Sequence, residues 1–168
     1  INQFNHSFKK FDWNVVWADS LDPASFEKAI TPKTRAIFIE SIANPGGVVV
    51  DIEAISRIAK KAGVPLIVDN TLATPYLVKP RDHGADIIVH SATKFLGGHG
   101  NSIGGILVDC GTFDWIKAGN RYPTLTAPNA SYNGMVLAET FGNFAFAIAA
   151  RVMGLRDIGP AIAPFNAF

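Results

Sequence analysis

One lysine sets the chemistry to look for. Lys94 stands in Ser91-Ala92-Thr93-Lys94-Phe95-Leu96-Gly97-Gly98-His99-Gly100, with two hydroxyls before it and a run of glycines behind it. A lysine that forms a Schiff base must be a neutral amine for part of its cycle, and burial or nearby positive charge promotes that form. The apolar flanks and the glycines, which let backbone crowd close, would supply such burial. A random lysine is simply exposed, so the surroundings are what single this one out. The hydroxyls of Ser91 and Thr93 have two readings, as donors to a phosphate or as caps of a turn at a strand end.

Asp69 follows the wholly apolar run Pro65 to Val68, where an unpaired carboxylate is costly. Its partner is either a neighbouring backbone amide or a protonated pyridine nitrogen, the electron-sink arrangement of pyridoxal phosphate with a lysine and an acid. Asn44 precedes Pro45-Gly46-Gly47. Without a cofactor it reads as an Asx turn; with one, it could bond a ring oxygen or a substrate carboxylate. None of His6, His83, His90 and His99 pairs with another histidine or a cysteine at metal-site spacing, which argues against a metal centre. His99 either shapes the lysine site or is structural. Gly97, Gly98 and Gly100 resemble a phosphate loop superficially, because the lysine precedes them and no Walker arrangement follows.

These groups need elements to position them. Ala36 to Ile39, Pro65 to Val68 and Ile87 to Val89 are continuous apolar runs, expected of strands covered on both faces. Between the first two, Asp51 caps a helix with Ile52, Ile55, Ile58 and Ala59 on one face, ended by Lys60-Lys61-Ala62-Gly63. Asp22-Pro23 opens an earlier helix reaching about Ile30, preceded by a short β-prone run at Val15 to Ala18. The connector after Asp69 carries one helical turn near Arg81. Ile103 to Val108 follows Lys94 too closely for a helical crossover and is expected to return antiparallel. Phe113 to Ala118 reads as a short helix, Arg121 to Asn129 as a loop, and Tyr132 to Leu155 as one long helix or two broken near Gly142. The alternation predicts an α/β fold with a largely parallel sheet, whose ligands gather beyond the carboxyl ends of the strands. By that rule Asn44, Asp69 and Ser91 to Lys94 converge.

Composition narrows the rest. Fifteen basic against fourteen acidic residues leave a net charge of +1, with no basic stripe to track phosphates, so nucleic acid is not an expected partner. No apolar run reaches the length of a membrane span. The single cysteine, Cys110, allows no intrachain disulfide and reads as a buried thiol, which fits a reducing, cytoplasmic setting. The abrupt ends at Ile1 and Phe168 lead us to expect a piece of a longer protein.

The stretch Ser91 to Gly100 resembles the cofactor-attachment site of the Cys/Met-metabolism pyridoxal-phosphate enzymes of fold type I, the aspartate-aminotransferase-like fold. Glu40-Ser41-Ile42-Ala43-Asn44-Pro45 and Val68-Asp69-Asn70-Thr71 resemble two further motifs of that family, in the expected order. Gly97 to Gly105, Phe113-Asp114-Trp115 and the tail Arg151 to Phe168 are most similar to its O-acetylhomoserine sulfhydrylase branch. The resemblance implies a mostly parallel three-layer α/β large domain with an antiparallel return strand, of which residues 1–168 are the central part. An upstream segment and a C-terminal small domain would lie outside it. It further implies pyridoxal 5'-phosphate on Lys94, which also shuttles protons, with Asp69 on the pyridinium. Ser91 and Thr93 would hold the phosphate, Asn44 the ring hydroxyl or the substrate side, and Thr71 a further cofactor contact.

The implied reaction is γ-replacement on an O-acylated homoserine by sulfide, giving homocysteine. The partners are an amino-acid substrate and sulfide, and the full-length protein is expected to be a homo-oligomer. Within the family the alternatives are cystathionine γ-synthase or γ-lyase and methionine γ-lyase. A non-catalytic folded fragment is the alternative of another class. The family's upstream phosphate loop, the aromatic residue that stacks on the ring and the downstream arginine for the substrate carboxylate have no counterpart here, so the isolated chain is expected to be weak or inactive.

Overall fold

The computed structural model describes residues 1–167. A first helix, α1 (Pro23–Ala29), starts where the Asp22 carboxylate accepts from the Ala24 amide at 3.0 Å, with proline in the first turn. Strands β1 (Ile37–Glu40), β2 (Leu66–Asp69), β3 (Ile87–Ser91) and β4 (Gly105–Asp109) form one sheet in that order. The first three are parallel, with Glu40 beside Asp69 and Asp69 beside Val89; β4 returns antiparallel, with Ser91 opposite Gly105. This is the mixed α/β sheet anticipated from the sequence.

A parallel pair needs a crossover, and α2 (Ile52–Ala62) supplies it between β1 and β2. Its ends are those read from the sequence. Asp51 accepts from the Ala54 amide at 2.9 Å, and Gly63 closes the helix in the left-handed region, with Lys60 and Lys61 in the last turn. Ile52, Ile55 and Ala59 of α2 join Phe26 of α1 and Ile37, Ile39, Leu66, Val68 and Ile88 in one core cluster.

Strand side chains alternate, so Ile67 and Ile87 meet the opposite side. There they pack with a second cluster built on α4 (Trp115–Ala118), α5 (Pro123–Thr126), α6 (Leu137–Phe141) and α7 (Ala145–Ala149). A short α3 (Thr74–Leu77) and a 3-10 turn at Pro80–His83 lie between β2 and β3. The chain closes with a π-helical stretch at Ala150–Arg156 and α8 (Pro164–Ala167). Phe168, the last residue of the tail motif, lies outside the described residues. Among the described residues no helix is long and apolar enough to cross a membrane.

Several expectations are corrected. Val15 to Ala18 is not a strand, because among the described residues no neighbouring backbone pairs with it; it runs irregularly, with Trp17 donating its Nε1–H to Asn5 Oδ1 at 2.9 Å. β1 is not covered on both faces. Ile37 and Ile39 are buried, but Phe38 is 38% exposed because the second cluster extends over β2 and β3 alone; the Phe4 ring at 5.0 Å is its aromatic neighbour. Arg121 to Asn129 is not merely a loop, since Pro123 starts α5. The break at Gly142 occurs as expected, with φ of +54°, but α6 begins at Leu137 rather than near Tyr132.

Candidate active site

The carboxyl ends of β1, β2 and β3 are stitched into one polar edge. The Ser41 amide donates to the Asp69 carbonyl at 2.9 Å and the Asn70 amide to the Val89 carbonyl at 2.9 Å, extending both parallel ladders past the strands. Ser41 Oγ donates to Asn70 Oδ1 at 2.7 Å, and Asn70 Nδ2 donates to the Val78 carbonyl at 3.0 Å. Ser41 is 3% exposed and Asn70 fully buried, so both bonds form out of water, where an unmade one would be costly. Neither residue has a role that its place in the sequence alone discloses. The available signal was a polar pair directly after each apolar run, Glu40-Ser41 and Asp69-Asn70.

Asp69, Thr71 and Ser91 are brought together. Asp69 Oδ1 accepts from the Thr71 amide at 3.0 Å and from Thr71 Oγ1 at 2.5 Å, and Thr71 Oγ1 in turn accepts from the Ser91 amide at 2.7 Å. The neighbouring-amide reading of Asp69 is therefore satisfied at one oxygen. Among the described residues Oδ2 accepts no hydrogen bond, and it remains free to take a second donor. The Ser91 hydroxyl is likewise free of protein partners among the described residues. Just beyond, Thr74 sits at φ of +58°, an uncommon conformation for a β-branched residue and a local strain next to the site.

Lys94 sits three residues beyond the end of β3 on a tight turn. Its amide donates to the Ser91 carbonyl at 3.1 Å, and the Gly97 and Gly98 amides return to the Ala92 and Lys94 carbonyls at 2.8 Å each. A Cβ at Gly97 would stand 2.6 Å from the Ala92 carbonyl oxygen, so the close backbone approach expected of these glycines is real there. The expected burial of the lysine is not. Lys94 is exposed, because the turn folds onto its own backbone and leaves Phe95 65%, Leu96 41% and Ile103 84% exposed instead of packed over the amine.

Two predicted residues stand apart. The Thr93 hydroxyl donates to the Gly104 carbonyl at 3.2 Å and accepts from its amide at 3.0 Å, closing the base of the turn; reaching a phosphate would mean exchanging the first of these bonds. Asn44 is exposed, and its amide donates to Glu40 Oε2 at 3.0 Å. His99 is exposed as well. A different histidine was missed. His90, at an alternate position facing the first cluster, is 6% exposed with Nδ1 unpartnered.

The residues present fit a pyridoxal phosphate at three points. An open carboxylate oxygen suits a pyridinium N–H, a free hydroxyl suits a phosphate oxygen, and an accessible primary amine suits an aldehyde carbon. All three stand at the ends of adjacent strands or the turn that follows.

The comparisons with known proteins point the same way. The whole chain, residues 1–168, matches the family model described as Cys/Met metabolism PLP-dependent enzyme. It is 49% identical to an O-acetyl-L-homoserine sulfhydrylase of Leptospira meyeri over 99% of this chain and 39% of that protein. A crystal structure of an O-acetylhomoserine (thiol)-lyase from Campylobacter jejuni, carrying N'-pyridoxyl-lysine-5'-monophosphate, is similar with a TM-score of 0.91 and 39% identity. The match covers 99% of this chain and 41% of that one. Cystathionine γ-lyase from Lactobacillus plantarum is similar with a TM-score of 0.62 and 42% identity, over 64% of this chain and 28% of that one. The chain thus spans about two fifths of the length of the curated relatives it matches, such as the 39% of the Leptospira protein.

Proposed function

The chain belongs to the Cys/Met metabolism PLP-dependent enzyme family, and we propose that it serves a γ-replacement reaction. The substrate is an O-acylated homoserine, the nucleophile sulfide and the product homocysteine. One observation carries this reading. The free amine of Lys94, the open Oδ2 of Asp69 and the free hydroxyl of Ser91 share one sheet edge, in a chain whose likeness to a sulfhydrylase-type structure covers 99% of its length. The cystathionine γ-lyase structure, at 42% identity, has the lower TM-score of 0.62 and covers 64% of this chain, and this shorter match supports sulfhydrylase over γ-lyase chemistry.

When bound, the cofactor supplies an electron sink for carbanions at the α and β carbons of the substrate. The side chains of this chain set up that chemistry. Asp69 Oδ2 would accept the ring N–H and favour the protonated ring, while Thr71 fixes the carboxylate through Oδ1. Ser91 donates to the phosphate, and Thr93 joins it on releasing Gly104. Lys94 would hold the cofactor through its amine, and the same amine is the group that would move a proton between substrate carbons. Asn44 serves the ring hydroxyl or the substrate side.

We further assign residues 1–168 to the central part of an aminotransferase-like, three-layer large domain in a longer, cytoplasmic, homo-oligomeric enzyme. Turnover by the full-length polypeptide of O-acetylhomoserine with sulfide, compared with cystathionine and methionine, tests the reaction. Preference for acetylhomoserine with sulfide is expected. Preference for cystathionine or methionine would replace it with lyase chemistry, and no turnover of any of them would favour a non-catalytic module.

A further inference from the structure

At the other end of the sheet a second concavity has the wrong chemistry for an apolar core defect. A groove of about 400 Å³ lies between α2 and the 3-10 turn, lined by Ser56, Arg57 and Lys60 on one wall and Arg81 and Gly84 on the other, with Thr112 beside them. It shares no residue with the candidate active site. Gly84 immediately precedes the buried Ala85-Asp86 pair that enters β3, so the groove sits at the amino end of that strand.

Two features build it. The walls touch at their base, where Ser56 Oγ donates to the Gly84 carbonyl at 2.9 Å, and Gly84, at φ of +92°, lets the Ser56 side chain pack directly against its backbone. A Cβ there would stand 2.3 Å from Ser56 Oγ and 3.3 Å from Lys60 Nζ, so the ammonium of the exposed Lys60 lies close to the Gly84 backbone. Arg57, Lys60 and Arg81 form no ion pair among the described residues. Glu53, Asp82 and His83 line the groove as well, with Glu53 engaged with His83 Nδ1 at 2.9 Å.

With Glu53 taken up by His83, the three cations of the lining outnumber the remaining carboxylate, Asp82, and a bound anion offsets that positive excess. Two of the three cations are guanidiniums, whose planar donor forks match phosphate oxygens. Thr112 adds a hydroxyl oxygen on the lining; it donates to buried Asp86 Oδ1 at 2.6 Å, and Asp86 Oδ2 accepts from the Leu66 amide at 2.9 Å. The groove is thereby braced against the start of β2. We propose that this groove binds a phosphate dianion, either inorganic phosphate or the phosphate of a small monoester.

Titration of the full chain followed by amide and arginine side-chain NMR tests this, with inorganic phosphate in one arm and glycerol phosphate in the other, at ionic strength held constant with chloride. The expected result is saturable shifts at Ser56, Gly84, Thr112 and the Arg57 and Arg81 side chains, with a Kd of roughly 1 mM. The exposed double variant Arg57→Gln with Arg81→Gln should weaken binding at least about tenfold while leaving the rest of the spectrum in place. Ser91→Ala, which removes the hydroxyl assigned to the active-site phosphate, should leave it unchanged, which separates the groove from any phosphate held at the active site. Tighter binding of the ester identifies a metabolite ligand, and equal or tighter binding of inorganic phosphate identifies the free ion. The proposal is overturned by shifts that never saturate, by shifts that chloride alone reproduces, or by full affinity in the double variant.

Discussion

Asp69 is held at one oxygen and open at the other, and this division gives sharp expectations for single substitutions. Asp69→Asn leaves an oxygen to accept the two Thr71 bonds of 3.0 and 2.5 Å but removes the charge that would keep a pyridinium protonated. Steady-state kinetics of the full-length enzyme should show kcat lower by roughly 10²–10³, the scale of losing one preorganised electrostatic partner, with the thermal midpoint little changed. Thr71→Val severs both the Oγ1 bond to Asp69 and the acceptor for the Ser91 amide. Chemical denaturation should register a loss of roughly 1–3 kcal/mol, and Thr71→Ser should recover most of it. Lys94 and Asp69 were legible in the sequence because each follows an apolar run. The hydrogen bonds that Ser41, Asn70 and Thr71 make were not, since the partners lie 29 residues apart for Ser41 and Asn70 and 20 for Ser91 and Thr71. Such pairs are chosen by strand register, which no local pattern states.

At the scale of elements, α2 was legible end to end because cap, face and stop all lie within its own sequence. Asp51→Ala should therefore cost about 1 kcal/mol in a denaturation experiment, the usual worth of such a cap. The four-residue helices α3 and α5 escaped notice for the converse reason, as a single turn carries no apolar period. Val15 to Ala18 has the composition of a strand without a partner, and the ladder, not the propensity, makes a strand. Tyr122 links α5 to the segment before β1 through its hydroxyl, which donates to the Arg35 carbonyl at 2.8 Å. Burial pushes the Tyr122 phenol up to about 12 from 10.0, opposed by Arg121 and Arg35. The folded state thus holds this proton more tightly than the unfolded state does. The contribution is fully present below pH 10 and is lost as pH rises toward 12. Tyr122→Phe should flatten the fall of stability across that window, measured by denaturation at stepped pH.

Across the whole molecule, the sheet is finished on its inner strands and open at its edges. β1 leaves Phe38 38% exposed, and β4 leaves Ile106 46%, Leu107 47% and Val108 39% exposed. The polar edge joins Asp69, Thr71 and Ser91 by hydrogen bonds and leaves Asp69 Oδ2 and the Ser91 hydroxyl open, while Lys94 stands exposed beyond it. Sequence motifs identified the family because they are local; how fully the amine is enclosed depends on packing that these residues do not supply among themselves. The isolated chain is accordingly expected to show little or no sulfhydrylase turnover when the full-length polypeptide shows it, and comparable rates would contradict that. The central claim is that Lys94 carries the cofactor. Its most direct test is to load the full-length polypeptide with pyridoxal phosphate, reduce it with borohydride and locate the pyridoxyl group by peptide mass mapping. The account predicts the label on the peptide containing Lys94 and its loss in Lys94→Ala. A label confined to another lysine, or one that persists undiminished in that variant, would contradict it.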